Sequence, residues 1–215
     1  KRHELYLALG SVSEQTLQGI VQPLHAVASP DWYSATKAFG RPLFVVKPEE
    51  LPLYDPIIAT YEEFVELGYK TILDRREFFG EYGWRNFGDW SSTWDPDGWG
   101  NLEYDLAYTY FRQLARTGSV AYLELAEEAA RHWMDIDMIW ASNLPIWVGG
   151  GLQHSSGHRM YDEVSHAWNQ GFVDYYHLTG DRRSLEAARA VGDFYAGLAL
   201  DPRKDARPRL VDFVG

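Results

Sequence analysis

The strongest constraint on the fold is a repeat. Thr117-Gly118 returns as Thr179-Gly180, 62 positions later. At the same offset Leu123 matches Leu185, Glu124 matches Glu186, Ala126 matches Ala188 and Trp133 matches Tyr195, while Phe111 answers to Val173 on the incoming side. Apolar residues on either side of both turns recur at helical spacing, so each copy reads as helix, tight turn, helix. Such a unit cannot bury its apolar face alone, and copies must stack. A period this long leaves room for two helices and one long loop. The tight turns then fall on one side of the stack and the long loops on the other. The fold class that follows is mainly α, part of an (α/α) toroid built from antiparallel helix hairpins. Five helices are too few to close such a ring, so the expectation is a piece of a longer protein.

The sequence divides around this pattern. Residues 1–48 read as the end of a β-sandwich domain, or a linker from one, so the toroid is expected to follow a short β-rich segment. His3, Leu5, Leu7 and Leu9 alternate as in a half-buried strand. Residues 14–27 suggest a short helix and then an extended stretch. Ser29-Pro30-Asp31-Trp32-Tyr33 carries turn chemistry, and Phe44-Val45-Val46 is a short β-like run. Residues 49–215 read as the partial toroid. Asp55-Pro56 starts a helix that reaches about Phe79 and stops at Gly80. Further helices are expected over about 102–116, 120–137, 161–178 and 183–200, with a loop over 142–160.

Between the first two of these helices lies a stretch that is neither helix nor strand by pattern. It carries Trp84, Trp90, Trp94 and Trp99, four of the nine tryptophans, together with Arg85, Asp89, Asn101, Tyr104 and Asp105. Asp95-Pro96-Asp97-Gly98 breaks it with a turn. Long ordered loops are uncommon and often functional. Indole faces beside Asn, Asp and Arg suit a sugar, whose C–H faces pack on the ring while its hydroxyls bond to the polar groups. The same tryptophans also serve as core material. Four of the seven histidines, His132, His154, His158 and His166, fall in the second long connection or beside it, near Asp135, Asp137 and Trp168. By the ring geometry these residues converge with the Trp-rich stretch in one concave mouth.

Charge and composition exclude several classes. The net charge is −11, with no basic stripe of the kind that nucleic acid requires. No apolar run is long enough to span a bilayer. There is no cysteine, hence no disulfide, thiolate nucleophile or Cys-ligated zinc. His154 and His158 with Asp162 do not make a recognised zinc spacing. Gly149-Gly150-Gly151 lacks the lysine and the strand–helix setting of a phosphate loop. Compartment and oligomeric state stay open.

Five stretches together resemble a known family. They are 82–89 (Tyr-Gly-Trp-Arg-Asn-Phe-Gly-Asp), 99–105 (Trp-Gly-Asn-Leu-Glu-Tyr-Asp), 132–137 (His-Trp-Met-Asp-Ile-Asp), 166–171 (His-Ala-Trp-Asn-Gln-Gly) and 176–181 (Tyr-His-Leu-Thr-Gly-Asp). Over roughly residues 50–200 they are similar to the C-terminal toroid of the exo-rhamnogalacturonan lyase-like proteins. The opening residues and the stretch 30–33 are similar to the end of the β-sandwich that precedes that toroid.

The resemblance implies a polysaccharide lyase acting on a uronate-containing, rhamnogalacturonan-like glycan by β-elimination. That chemistry needs a group to neutralise the uronate carboxylate, a base for the proton on the neighbouring carbon, and an acid for the leaving oxygen. Arg85 is the candidate neutraliser, being permanently charged and able to bind a carboxylate bidentately. Tyr104, His154, His158 and His166 are the candidate acid and base, left unassigned between the two roles. Trp84, Asp89, Trp99, Asn101, Asp105, His132 and Trp168 are candidate substrate contacts. No cofactor is called for, and calcium, though compatible, is not indicated. Two alternatives stand beside this reading. One is a glycoside hydrolase on the same fold with Asp89 and Asp105 as its carboxylate pair. The other is a non-catalytic glycan-binding module.

Overall fold

The computed structural model describes residues 7, 9–21, 25–40, 48–50, 52–80, 90–91, 99–100, 105–153, 159–163 and 167–200. Seven α-helices occur among them: α1 Glu14–Val21, α2 Pro30–Thr36, α3 Asp55–Phe79, α4 Leu106–Thr117, α5 Val120–His132, α6 Gln170–Thr179 and α7 Arg182–Leu200. The molecule is mainly helical, as the periodicity predicts.

The two tight turns are built from the same bonds. Gly118 and Gly180 have φ of 73° and 74°, a left-handed conformation that glycine adopts without penalty. Their N–H groups close onto the carbonyls of Leu114 at 2.7 Å and Tyr176 at 2.8 Å. The Thr117 hydroxyl donates to the Gln113 carbonyl and the Thr179 hydroxyl to the Tyr175 carbonyl, each at 2.7 Å. Each threonine oxygen then accepts the N–H two residues on, from Ser119 and Asp181, each at 3.2 Å. The repeat read from residue types is therefore a repeat of hydrogen bonds.

Packing follows the same period. α4 and α5 form one antiparallel hairpin, α6 and α7 the next, and α4 lies parallel to α6 through the stacked rings of Phe111 and Tyr175. α4 is the most enclosed helix, with Ala107, Tyr110, Phe111, Leu114 and Ala115 all buried. Ala126 and Ala129 of α5 and their period mates Ala188 and Val191 of α7 are buried in one continuous core. Each large apolar side chain so enclosed contributes about 1.5–3 kcal/mol by leaving water. α3 lies along the first hairpin, with Tyr69 edge-on to Tyr110 and Tyr122 and Arg76 paired with Glu128. Near its start, Glu62 pairs with Arg116, whose guanidinium also lies over the Tyr61 ring.

Both long connections contain a two-stranded antiparallel ladder. β1 Trp90–Ser91 pairs with β2 Trp99–Gly100, and β3 Gly151–Gln153 pairs with β4 Arg159–Glu163. One period beyond β1 and β2 lie positions inside β3 and β4, so the hairpin belongs to the repeat. The pairing registers differ, Ser91 opposing Trp99 but Gln153 opposing Arg159, because the second hairpin has a shorter connection. The Trp-rich stretch is thus not without strand, since Trp90–Ser91 pairs with Trp99–Gly100 within it.

Three expectations are corrected. Of the strand alternation expected at the start, Leu7 and Leu9 lie outside any strand and are almost fully exposed, whereas α1 is the short helix expected within 14–27. Ser29-Pro30-Asp31 is a helix start rather than a free turn, because the Ser29 side chain accepts from the Trp32 N–H and Pro30 fits the first turn. α2 then docks on α4: Tyr33 is buried, and Arg112 donates to the Phe39 carbonyl while its guanidinium stacks on the Phe39 ring. The helix expected over 161–178 begins only at Gln170, its first residues being β4. The region 1–6 and the run 44–46 lie outside the described residues.

Candidate functional site

Because α4 and α6 are parallel and each follows a long connection, both connections issue from one end of the stack. The described residues at that end form its foot. Asp105, the N-cap of α4, sits in a left-handed conformation at φ 53°. One carboxylate oxygen accepts the Tyr108 N–H at 3.0 Å and the other accepts the Gly171 N–H at 2.9 Å. α6 lacks a side-chain cap of its own at Asn169, so Asp105 supplies one from the neighbouring helix. Burial pushes the Asp105 carboxyl above the usual carboxylate range, against the opposing pull of the Tyr108, Gly171 and Gln170 N–H groups. Gly171 is required for this approach, since a Cβ there would lie 2.5 Å from an Asp105 oxygen and 2.9 Å from the Ala107 methyl.

At the same end of the stack, the C-terminus of α5 loosens into a π-helical turn over Trp133–Asp137. Such turns often occur at functional positions. Across it the Nε2 of His132, the last residue of α5, lies 3.3 Å from the Asp137 carboxylate, and both side chains are shut off from solvent. The Trp133 indole stacks on Phe172 and donates to the Trp168 carbonyl at 2.8 Å. Tyr195, its counterpart one period later, donates to the Ala167 carbonyl at 2.9 Å. Residues 167–168 are therefore clamped from two sides by equivalent rings. Trp168 packs half-buried on the core, and both its indole N–H and the side-chain carbonyl of Asn169 are shielded without a hydrogen-bond partner among the described residues.

Measured against the sequence expectations, this geometry reassigns several residues. Asp105 is a buried tie between two helix starts, with both oxygens engaged, rather than a surface group facing sugar. His132 is buried and paired with Asp137, because position 132 lies on the inward face of α5, where its period mate Phe194 is also buried. Asp135 pairs with Arg183 just beyond the Thr179-Gly180 turn, so it leaves the group expected at the mouth. Trp168 remains at the foot of the second connection. Trp99 lies in β2, and nothing further is described of it. Trp84, Arg85, Asp89, Asn101, Tyr104, His154, His158 and His166 lie outside the described residues; His154 and His158 fall, by sequence, between β3 and β4.

Two features escaped the sequence reading. Asp174 on α6 lies 3.8 Å from the Arg112 guanidinium, and burial pushes its carboxyl up to about 6, with Arg112 opposing and Asp105 adding to the rise. Nothing in the pattern around position 174 marks it. A cavity of about 420 Å³ opens by the α6–α7 turn, lined by Glu127, Arg131, Tyr175, Thr179, Asp181 and Arg183 among others. Its polar groups largely serve one another: Arg131 donates to the Tyr175 hydroxyl, and Asp181 accepts from the Arg183 N–H. Among the described residues there is no cluster of three metal-ligating side chains, and no helix is long and apolar enough to cross a membrane. No protein-family model matches the chain, and neither does any curated protein.

Proposed function

We propose that the chain is part of a carbohydrate-active enzyme, a polysaccharide lyase that cleaves a uronate-containing, rhamnogalacturonan-like glycan by β-elimination. We take the stacked hairpins as an arc of an (α/α) toroid whose loop-bearing end holds the glycan. The observation that carries this reading is at the foot of that end. The Trp168 indole N–H and the Asn169 side-chain carbonyl, on successive residues, are each shielded without a partner among the described residues, and buried polar groups in that state call for one. A sugar hydroxyl both donates and accepts, so it matches the pair. By sequence, the aromatic and basic residues Trp84, Arg85, Trp99, His154 and His158 belong to the two long connections that lead into α4 and α6.

In the proposed reaction Arg85 neutralises the uronate carboxylate, which acidifies the proton on the adjacent carbon. A base drawn from Tyr104, His154, His158 and His166 removes that proton. The electron pair forms the new carbon–carbon double bond, the glycosidic C–O bond breaks, and an acid from the same set protonates the leaving oxygen. The hydrolase alternative is weakened by Asp105, whose oxygens are engaged by backbone N–H groups.

Incubation with rhamnogalacturonan tests the reading. Lyase action gives product that absorbs in the ultraviolet through its conjugated, unsaturated uronate, and Arg85→Ala abolishes it. Reducing ends without that absorbance identify a hydrolase, and glycan binding without product identifies a binding module. Full activity of Arg85→Ala overturns the role given to Arg85.

A further inference from the structure

The turn between α6 and α7 carries charges that a turn of its kind does not need. The turn between α4 and α5 is closed by the same hydrogen bonds, so it shows what the backbone there requires. Ser119, Val120 and Ala121 follow it, and Val65 and Tyr69 stand at the matching places on α3. None of the five is charged. One period later the same places hold Asp181, Arg182, Arg183, Glu127 and Arg131, and all five are charged. The Thr-Gly pair and the apolar positions are shared between the copies, whereas these positions differ.

The five charged residues line the cavity of about 420 Å³ beside the second turn, together with Tyr175. That volume lies within the range of small-molecule sites. The cavity sits at the C-terminal end of α6, while the long connection enters at the helix start, about 15 Å away along the axis. Apart from the Tyr175 ring, its described lining is polar, so a ligand there must be polar throughout.

Most of the charges are engaged. Arg183 forks onto Asp135, and Asp181 accepts the N–H groups of Arg183 and Ser184 at 2.8 Å and 3.3 Å. Arg131 donates to the Tyr175 hydroxyl at 3.0 Å. Burial pushes that hydroxyl up to about 12, with Glu127 adding to the rise and Arg131 opposing it, so it keeps its proton. Burial also pushes the Glu127 carboxyl above the usual carboxylate range. Arg131 and His25 oppose that rise, Asp181 adds to it, and the Tyr175 hydroxyl opposes it by a hydrogen bond. Arg182 is the charge left over. It is exposed and has no ion pair or hydrogen bond among the described residues. A guanidinium with open donors holds a carboxylate through two parallel N–H bonds. Beside Glu127 and Asp181, a doubly charged phosphate is repelled more than a carboxylate with one charge.

We propose that this cavity binds a small hydroxylated carboxylate, a sugar acid, with Arg182 holding the carboxylate and Glu127 bonding a hydroxyl. The site is separate from the residues proposed for glycan cleavage and does not depend on that reading.

An NMR titration of the isotope-labelled full chain with galacturonate tests this, with galactose as the neutral counterpart and inorganic phosphate as a second anion. Backbone amide signals of residues 179–183 should shift and saturate with a Kd on the order of 1 mM, as one charged contact in an open cavity gives. Galactose and phosphate should each bind at least about tenfold more weakly. Arg182→Ala should weaken galacturonate binding at least about tenfold with an unchanged circular dichroism spectrum, and Arg189→Ala, which alters an exposed arginine of α7 outside the cavity, should leave it unchanged. The proposal is overturned if those signals do not move by about 20 mM galacturonate, or if galactose or phosphate binds as tightly. It is equally overturned if binding survives Arg182→Ala but is lost in Arg85→Ala, because the ligand then sits at the proposed cleavage site.

Discussion

Asp105 concentrates three tasks in one side chain. It caps α4, caps α6 and holds a left-handed backbone position. Asp105→Ala removes both acceptors and leaves two helix-start N–H groups without partners in a closed site. The expected loss is on the order of 2–4 kcal/mol, read by denaturant unfolding. Gly171→Ala should do comparable damage from the other side, because the added methyl has no room beside Asp105 and Ala107. Asp174 gives a sign that pH can check. Its carboxyl is pushed up to about 6 from an ordinary value of 3.8. The folded state thus holds its proton more tightly than the unfolded chain does. The stabilisation is complete below about pH 4 and is lost as pH rises through about 6. Asp174→Asn removes that dependence. The difference in unfolding free energy between wild type and variant should move against the wild type, by on the order of 2–3 kcal/mol, from pH 4 to pH 7. A difference that stays flat across that window contradicts the burial argument. Neither role was legible in the sequence. A left-handed cap that serves two helices leaves no local motif, and the burial of Asp174 depends on where α4 lies.

At the scale of elements, the equivalence of the two turns makes a paired prediction. Gly118→Ala and Gly180→Ala should each cost about 1 kcal/mol for the left-handed backbone. The two costs should agree within a few tenths of a kcal/mol, because the new methyl at 118 makes only an ordinary 3.4 Å contact with the Pro30 ring and the one at 180 meets nothing. Thermal melts of the two variants, set side by side, measure whether the copies are energetically alike. Much at this scale could be read beforehand. Pro56 and Gly80 bound α3, and the Thr-Gly pairs carry their own geometry. β4 could not be read, because Tyr161–Glu163 is apolar and acidic in a mixture that suits a helix, and only pairing with β3 holds it extended. The start of α2 misled for a related reason, since Ser-Pro-Asp opens a turn and a helix with the same residues, and docking on α4 decides between them.

At the scale of the whole molecule, the chain separates a scaffold from what it presents. The core runs through α4 to α7 and closes over residues 167–168 from two sides. The residues proposed for chemistry lie mainly in the two long connections. Replacing residues 154–158 with a Gly-Ser turn of equal length should leave the helical dichroism and the melting temperature within about 2 °C of wild type. The same replacement should end any glycan cleavage. Loss of fold in that variant would show that the second connection is part of the core. Stacking and sidedness could be read from the period alone, because both follow from where the short turns fall. The inward turn of His132 could not, because period says which residues correspond and not which way the hairpin leans.

The carboxylate between α4 and α6 has a mechanical corollary. Two peptide segments far apart along the polymer share a single hinge pin, so neither can rock without the other.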